Sequence, residues 1–259
     1  MTEHWNLVKL GDIDAYTCKA LDEALIISRG KRIIGNTLVV RKTLTSIWIG
    51  RRTSLSQVNV LFCKENNIPI ARAFQGGGTS LIGGLPGFSL VVDREFSSSK
   101  NVNRLLMECI AKAYQSLGLP AKVRPNSNDV LVRDKKIAGT IIERVGDTLF
   151  FSGTITIDFD YELARKVLRI PPEKFRDKKA KSVDEWVTSA KIELGREVGF
   201  DEIVDALKTG FEEILQVEFE VSTSLSEAME RLIEGLQEKY RSEEWLKTGR
   251  WSPVKDYWR

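Results

Sequence analysis

The chain has 259 residues, enough to bury one sizeable core and, at about 150 residues per domain, to form one or two domains. Hydrophobic residues make up 42% and charged residues 29%, and 39 Lys+Arg against 36 Asp+Glu leave a net charge of only +3. That balance gives no strong single-sign field for nucleic acid or an anionic membrane. No stretch nears the roughly 18 uninterrupted apolar residues of a membrane span, and Met1-Thr2-Glu3-His4-Trp5 lacks the basic and apolar parts of an export signal. Cys18, Cys63 and Cys109 stand far apart with no C-x-x-C pair, which excludes a zinc ribbon and fits a reducing cytoplasm.

The single histidine, His4, is expected in a mobile terminus, so no imidazole is left for a Ser-His-Asp triad or a metal site. Whatever chemistry the chain performs falls to Lys, Arg, Asp and backbone amides. In chain order, residues 19 to 29 place Leu21, Ala24, Leu25 and Ile27 on one helical stripe. Thr37 to Arg41 and Ser46 to Ile49 read as strands. A helix is expected from Ser56 to Asn66 with Val58, Leu61 and Phe62 inward, and Ile68 to Phe74 reads as a strand that runs into Gly76-Gly77-Gly78.

Phe88 to Val92 reads as a buried strand, Ser97 to Lys100 as a turn, and Val102 to Leu117 as a helix with Leu105, Leu106, Cys109, Ile110 and Ala113 inward. Val130 to Arg133, Ile137 to Ile142 and Thr148 to Ile157 then form antiparallel hairpins around Arg133-Asp134-Lys135 and Val145-Gly146-Asp147. The last hundred residues are mostly helical: Tyr161 to Leu168, Ser182 to Ala190, Asp201 to Leu215, a strand Val217 to Val221, and Ser224 to Tyr240. Ser224 and Glu227 supply a capping box for the last helix, and Leu225, Met229, Leu232, Ile233 and Leu236 its apolar stripe. These elements make an α+β fold with a mixed, largely antiparallel sheet flanked by helices. Without a Pro, Gly or Ser linker, residues 1–259 read as one domain whose helical part, about 160–259, packs back on it.

Two segments stand out. Arg72-Ala73-Phe74-Gln75-Gly76-Gly77-Gly78-Thr79 begins a stretch, ending at Gly87, that holds six of the 19 glycines, where backbone N–H groups could approach an anion or a flat ligand closely. It matches neither the Walker pattern nor G-x-G-x-x-G, and composition alone leaves a plain surface loop equally open. The second is the hairpin Asn128-Asp129…Lys136-Ile137-Ala138-Gly139-Thr140. Its lysine is either a solvated hairpin charge or, on a central strand, a point charge facing a cleft and suited to phosphate and carboxylate.

Taken in order, these motifs resemble the lipoate-protein ligase A family of the biotin/lipoate ligase superfamily. Leu21-Asp22-Glu23-Ala24-Leu25 is similar to its opening helix, Ile49-Gly50-Arg51 with Gln57-Val58-Asn59 to its "IGR…Q…VN" segment, and Arg72 with Gly76-Gly77-Gly78 to its "RRxSGGG" loop. Asn128-Asp129 with Lys136-Ile137-Ala138-Gly139 resembles the "ND…KISG" hairpin, the most specific match. Ser152-Gly153-Thr154-Ile155, the stretch from Lys174 to Lys178 with Lys181-Ser182-Val183, and Lys239-Tyr240 with Glu244-Trp245 extend the resemblance over nearly the whole chain.

The resemblance implies a catalytic domain like those of class II aminoacyl-tRNA synthetases and biotin synthetases. It implies that ATP and Mg²⁺ activate lipoate, or a related short acid, as an acyl-adenylate, and that the acyl group passes to a lysine of a lipoyl domain of the 2-oxoacid dehydrogenase E2 or glycine cleavage H protein type. Lys136 is then the catalytic residue. Arg72, Gln75, Gly76, Gly77, Gly78, Thr79, Asn128, Asp129, Gly139 and Thr140 bind substrate or nucleotide, and Asp129 offers a ligand for Mg²⁺.

The chain departs from the family at Ala73 (the second Arg), Gln75 (the Ser), Ile82-Gly83 (an "HD" pair) and Ser152 (a further His). It also ends where longer members continue into a C-terminal accessory domain, which implies a separate accessory subunit. Octanoyl transfer through a cysteine is a first alternative, but Arg124-Pro125-Asn126 and Arg169-Ile170-Pro171-Pro172 occupy the two places where sister enzymes carry that cysteine. A catalytically inactive paralogue that binds lipoyl domains or nucleotide is a second.

Overall fold

The computed structural model describes residues 3–97, 101–171 and 180–251. The expected turn Ser97 to Lys100, apart from Ser97 itself, and the stretch Lys174 to Lys178 lie outside these. In chain order the elements are β1 (Glu3–Ile13), α1 (Ala15–Gly30), β2 (Thr37–Thr43), β3 (Ser46–Ile49), α2 (Val60–Glu65), β4 (Ile70–Arg72), β5 (Thr79–Ile82), β6 (Pro86–Val92), the single turn α3 (Arg94–Ser97) and α4 (Val102–Ser116). There follow β7 (Lys122–Val123), β8 (Asp129–Val132), β9 (Lys135–Val145), β10 (Thr148–Ile155), α5 (Tyr161–Val167), α6 (Val183–Trp186), α7 (Ala190–Leu194), α8 (Phe200–Leu215), β11 (Val217–Ser222), α9 (Glu227–Arg241) and α10 (Glu243–Thr248).

Eight strands form one sheet in the order β11-β1-β2-β6-β10-β9-β8-β7, and β4-β3-β5 form a second, smaller sheet. The large sheet is mixed: β1 runs parallel to β11 and β2, while β6, β10, β9 and β8 pair antiparallel. β1 is an addition to the sequence reading. His4 is not in a mobile terminus but on this strand, beside Val217 and Glu218 of β11. Its run Trp-Asn-Leu-Val-Lys-Leu alternates imperfectly, because Trp5 and Leu7 point to one core and Val8 to another.

Strand alternation gives the two sheet faces different partners. Leu38, Val40, Phe88, Leu90, Leu149 and Phe151 point to one face, where α4 and α8 seal an apolar core. The two helices approach closely because Gly210 lies against α4, where a Cβ would collide with the Cys109 carbonyl. Val39, Val91 and Phe150 point to the other face and meet α1 and α9. Beyond these helices that face carries polar and small residues and is overhung by the small sheet.

Local chemistry moved several boundaries. The expected helix from Ser56 to Asn66 splits: Asn59 caps α2 with its side chain, a 3₁₀ turn at Leu55–Gln57 precedes it, and Leu61 is exposed instead of inward. The last long helix begins after Ser226, whose hydroxyl accepts from the Met229 N–H, so the Ser224/Glu227 box does not form; the helix is capped two residues later. The expected helix Ser182 to Ala190 is instead the short α6 and the start of α7, whose first turns are capped by the Ser182 and Ser189 hydroxyls, accepting from the Glu185 and Ile192 N–H groups.

Candidate active site: a lysine on a bulged hairpin

The β8–β9 hairpin turns through Arg133 and Asp134, both with positive φ (47° and 67°), the pairing of Val132 with Lys135 leaving a two-residue loop. Register then slips. Leu131 faces Lys136 while Val130 faces Ala138, so Ile137 is an extra, bulged residue. In a regular strand Lys136 and Gly139, three apart, would point to opposite faces; the bulge reverses this parity and puts both on the open face. The Lys136 ammonium lies over Gly139, where a Cβ would come within 2.6 Å of Nζ and 2.8 Å of Cε. Asp129, directly across from Gly139, holds Nζ at 2.6 Å through Oδ1.

The bulge is satisfied from behind. Tyr114 of α4, fully buried, donates its hydroxyl to the Ile137 carbonyl at 2.9 Å and accepts from the Thr156 N–H at 2.9 Å. Burial pushes the Tyr114 phenol far above its ordinary value, so it stays protonated. On the other edge the Thr188 N–H donates to the Lys136 carbonyl at 2.8 Å. No motif pointed to Tyr114. Its one signal was an aromatic hydroxyl on an otherwise apolar helix face.

Lys136 and Asp129 open onto a cleft of about 350 Å³ lined also by Gly77, Gly78, Thr79, Gly139 and Thr140. With the lysine side chain 31% exposed, the alternative of a fully solvated hairpin charge falls away. The glycine segment forms the opposite wall. Gly77 adopts φ 113°, and its carbonyl lies so close to Gly50 that a Cβ there would collide with it, which gives the glycine of Ile49-Gly50-Arg51 its reason. Thr53 donates to the same carbonyl at 2.8 Å, and Thr79 to Gln57 at 3.0 Å.

Four expected site residues are placed differently. Arg72 does not line the cleft: its guanidinium donates to the backbone carbonyls of Gly50, Arg51, Thr53 and Leu246 at 2.8 to 3.0 Å, bracing the glycine loop and α10, which leaves it a structural clasp. Burial pulls its pKa below the ordinary guanidinium range. Asn128 is exposed and outside the cleft lining, and its backbone carbonyl accepts from the Thr140 N–H and hydroxyl. Gln75 and Gly76 border a second, inner chamber of about 80 Å³, which shares Gly78, Gly139 and Thr154 with the cleft.

Among the described residues no group of three or more His, Cys, Asp and Glu could hold a metal. Asp129 is a single carboxylate already paired with an ammonium, so a magnesium ion there would need phosphate oxygens and water for its remaining ligands, which is this ion's usual manner of binding. The three cysteines are buried and free, and none lines the cleft or the chamber. Burial raises the thiol pKa of Cys63 and, further, of Cys109. Trp245 docks the tail, donating from its indole to the Arg72 carbonyl at 2.9 Å.

An α+β sheet carrying a lysine hairpin under a glycine loop defines the class of lipoate ligase catalytic domains. A solved archaeal bi-partite lipoate protein ligase from Thermoplasma acidophilum, described with its E2 lipoyl domain, superposes with TM-score 0.79 at 27% identity over 96% of this chain and 100% of that one. A lipoate-protein ligase A bound with ATP shares the fold at TM-score 0.78 and 23% identity, over 96% and 99% of the two chains. Residues 14–212 match the family described as "Lipoyl protein ligase A/B catalytic domain", and the chain belongs to that family. Among relatives, lipoate-protein ligase A subunit 1 of Thermoplasma acidophilum is 31% identical over 73% of this chain and 75% of its own length. An octanoyltransferase LipM of Oceanobacillus iheyensis is 24% identical over 93% and 96%. Among the described residues no helix is long and apolar enough to cross a membrane.

Proposed function

We propose that the protein is an ATP-dependent, AMP-forming ligase that attaches lipoate or a related short acid to a lysine of a lipoyl domain. The carboxylate attacks the α-phosphorus of ATP and displaces pyrophosphate; the acceptor amine then attacks the acyl carbonyl and AMP leaves. The observation that carries this reading is the Lys136 ammonium, fixed over Gly139 and against Asp129 at the edge of the cleft. Two anions must meet in the first step, and a fixed cation between them offsets their repulsion and the charge that builds on the phosphate. Gly77, Gly78 and Thr79 line the opposite wall, where backbone N–H groups would serve as donors, Thr140 and Gly139 also line the cleft, and Asp129 with phosphate oxygens would hold Mg²⁺, the ion that neutralises the pyrophosphate leaving group.

The archaeal bi-partite relative supports two further parts of the reading: a lipoyl-domain acceptor, and a separate accessory subunit that completes the enzyme. We read the chain as one domain, since α9 packs on α1 through the buried pair of Lys239 and Glu23 at 2.7 Å, and place it in the cytoplasm because its thiols are all free. The second reading, octanoyl transfer, rests on relatives of the LipM kind. It needs a cysteine at the cleft, and the three buried cysteines lie outside the cleft lining.

The test is acid-dependent exchange of pyrophosphate into ATP by the protein with any accessory subunit it requires. Lys136→Ala is expected to lower exchange about 10²–10³-fold with an unchanged melting temperature, since the side chain contributes charge and little packing. Exchange at the wild-type rate in that variant overturns the role of Lys136. Turnover of octanoyl carrier protein without ATP, with an acyl-thioester on the enzyme, overturns the ligase reading.

A further inference from the structure

The inner chamber behind the glycine loop is lined in a way that an alkyl chain does not require. Lys19 of α1, only 1% exposed, borders it together with Trp48, Ala73, Gln75 and Ser152. Its ammonium has one oxygen partner, Asp22 Oδ2 at 2.8 Å, and rests over the Trp48 ring with Nζ 3.5 Å from the centroid. An ammonium has three donors, so this coordination is incomplete. Asp22 is shared: its other oxygen takes Arg41 at 2.9 Å and Ser89 at 2.6 Å, and the remaining Arg41 bonds go to Ser89 and the sulfur of Cys18. Two buried cations thus divide one carboxylate. Burial alone would raise the Asp22 pKa, but Lys19 and Arg41 more than offset this and hold it below the ordinary 3.8.

Two neighbours are unsatisfied as well. The Trp48 indole Nε1 and Gln75 Oε1 are buried without a hydrogen-bond partner, and both side chains border the same chamber. Each such group costs about 1–3 kcal/mol when left unpaired; the two under-coordinated donors, Lys19 Nζ and Trp48 Nε1, indicate an occupant that accepts from them, while the Gln75 oxygen calls for a donor of its own. The chamber opens to the cleft at Gly139, the residue under the Lys136 ammonium. An acid whose carboxylate lies at Lys136 can therefore extend its tail inward, while the larger cleft is left for the nucleotide.

We propose that the chamber selects a short acid whose far end accepts hydrogen bonds, most favourably a second carboxylate that pairs with Lys19 and the Trp48 N–H, and that it rejects a plain alkyl end. This rests on the ligase reading and narrows it to a substrate class. A methyl terminus would bury against an ammonium it cannot solvate, and a site built for a polar group discriminates strongly against an analogue lacking it.

The pair that isolates this is suberate and octanoate, equal in chain length and different only at the far end. In pyrophosphate exchange, suberate is expected to exceed octanoate in kcat/KM by about tenfold or more, and Lys19→Met to reverse the order. Trp48→Phe, which removes only the indole N–H, is expected to reduce the preference several-fold. Octanoate equal to or better than suberate with the wild-type protein overturns the proposal, whatever the variants do. Calorimetric titration of each acid without ATP separates the two readings. If neither these two acids nor lipoate supports exchange, the ligase reading fails, yet suberate binding that Lys19→Met abolishes still upholds the chamber's selectivity; absence of suberate binding to the wild type overturns it.

Discussion

Phe88, Leu90 and Phe151 meet α4 and α8 in an unbroken apolar layer, whereas Ser89, Ser152 and Thr154, one residue along the same strands, face buried charges, the inner chamber and the cleft. The difference is one of neighbours, not of strand. A period of two lets a single strand hold a core on one side and a polar site on the other, so the closed face supplies stability and leaves the open face free to carry under-coordinated groups. Lys136, Asp129 and Lys19 are tolerable because the opposite face pays their cost.

The comparison is broken most severely on the closed side. Phe211→Ala should cost about 3–5 kcal/mol, because its ring packs against Phe88, Phe151 and Phe219 at centroid distances of 6.1 to 6.5 Å. Chemical denaturation would show it, and acid selectivity in the residual folded protein should not change.

Asp22→Asn probes the open side and should cost about 3 kcal/mol near neutral pH, since it leaves Lys19 and Arg41 without their carboxylate. Its signature is in acid. The folded chain holds the Asp22 carboxyl ionised below pH 3.8, where the unfolded chain takes up the proton. Wild-type stability is therefore fully present above that pH and falls as pH drops through the folded pKa, while the Asn variant loses less over the same range. Identical acid slopes in denaturation curves would show that the cluster carries no such linkage.

Tyr114→Phe sharpens the comparison with the smallest change, because this hydroxyl reaches from the closed face to the bulge that aims Lys136. A stability loss of about 1–2 kcal/mol is expected. If the bulge is what positions the lysine, kcat for adenylate formation should also fall while KM for ATP stays near its wild-type value; a loss of stability with unchanged kcat would make Tyr114 purely structural.

The amino-acid pattern alone carried much of this architecture. The apolar, β-branched and aromatic runs of β2, β6, β8 and β10 and the stripes of α4, α8 and α9 match the observed elements, because such runs and stripes report burial directly. The motif Lys136-Ile137-Ala138-Gly139 marked the hairpin, and Gly77 and Gly78 do face it across the cleft. Arg72 was misleading for a physical reason: a guanidinium suits a ligand anion and a set of backbone carbonyls equally well, and only the fold of Gly50 to Thr53 around it decides between them.

Residue types and their spacing thus determined the class of fold and the location of the cationic hairpin. Tertiary structure decided what depends on contacts distant in the chain: that a bulged Ile137 turns Lys136 toward Gly139, that Tyr114 holds that bulge, and that Lys19, which reads as an ordinary helix lysine, ends buried beside Trp48 in a half-satisfied chamber. Periodicity encodes which side of an element is buried; it carries no record of which groups, dozens of residues apart, will share a cavity or leave a donor unpaired.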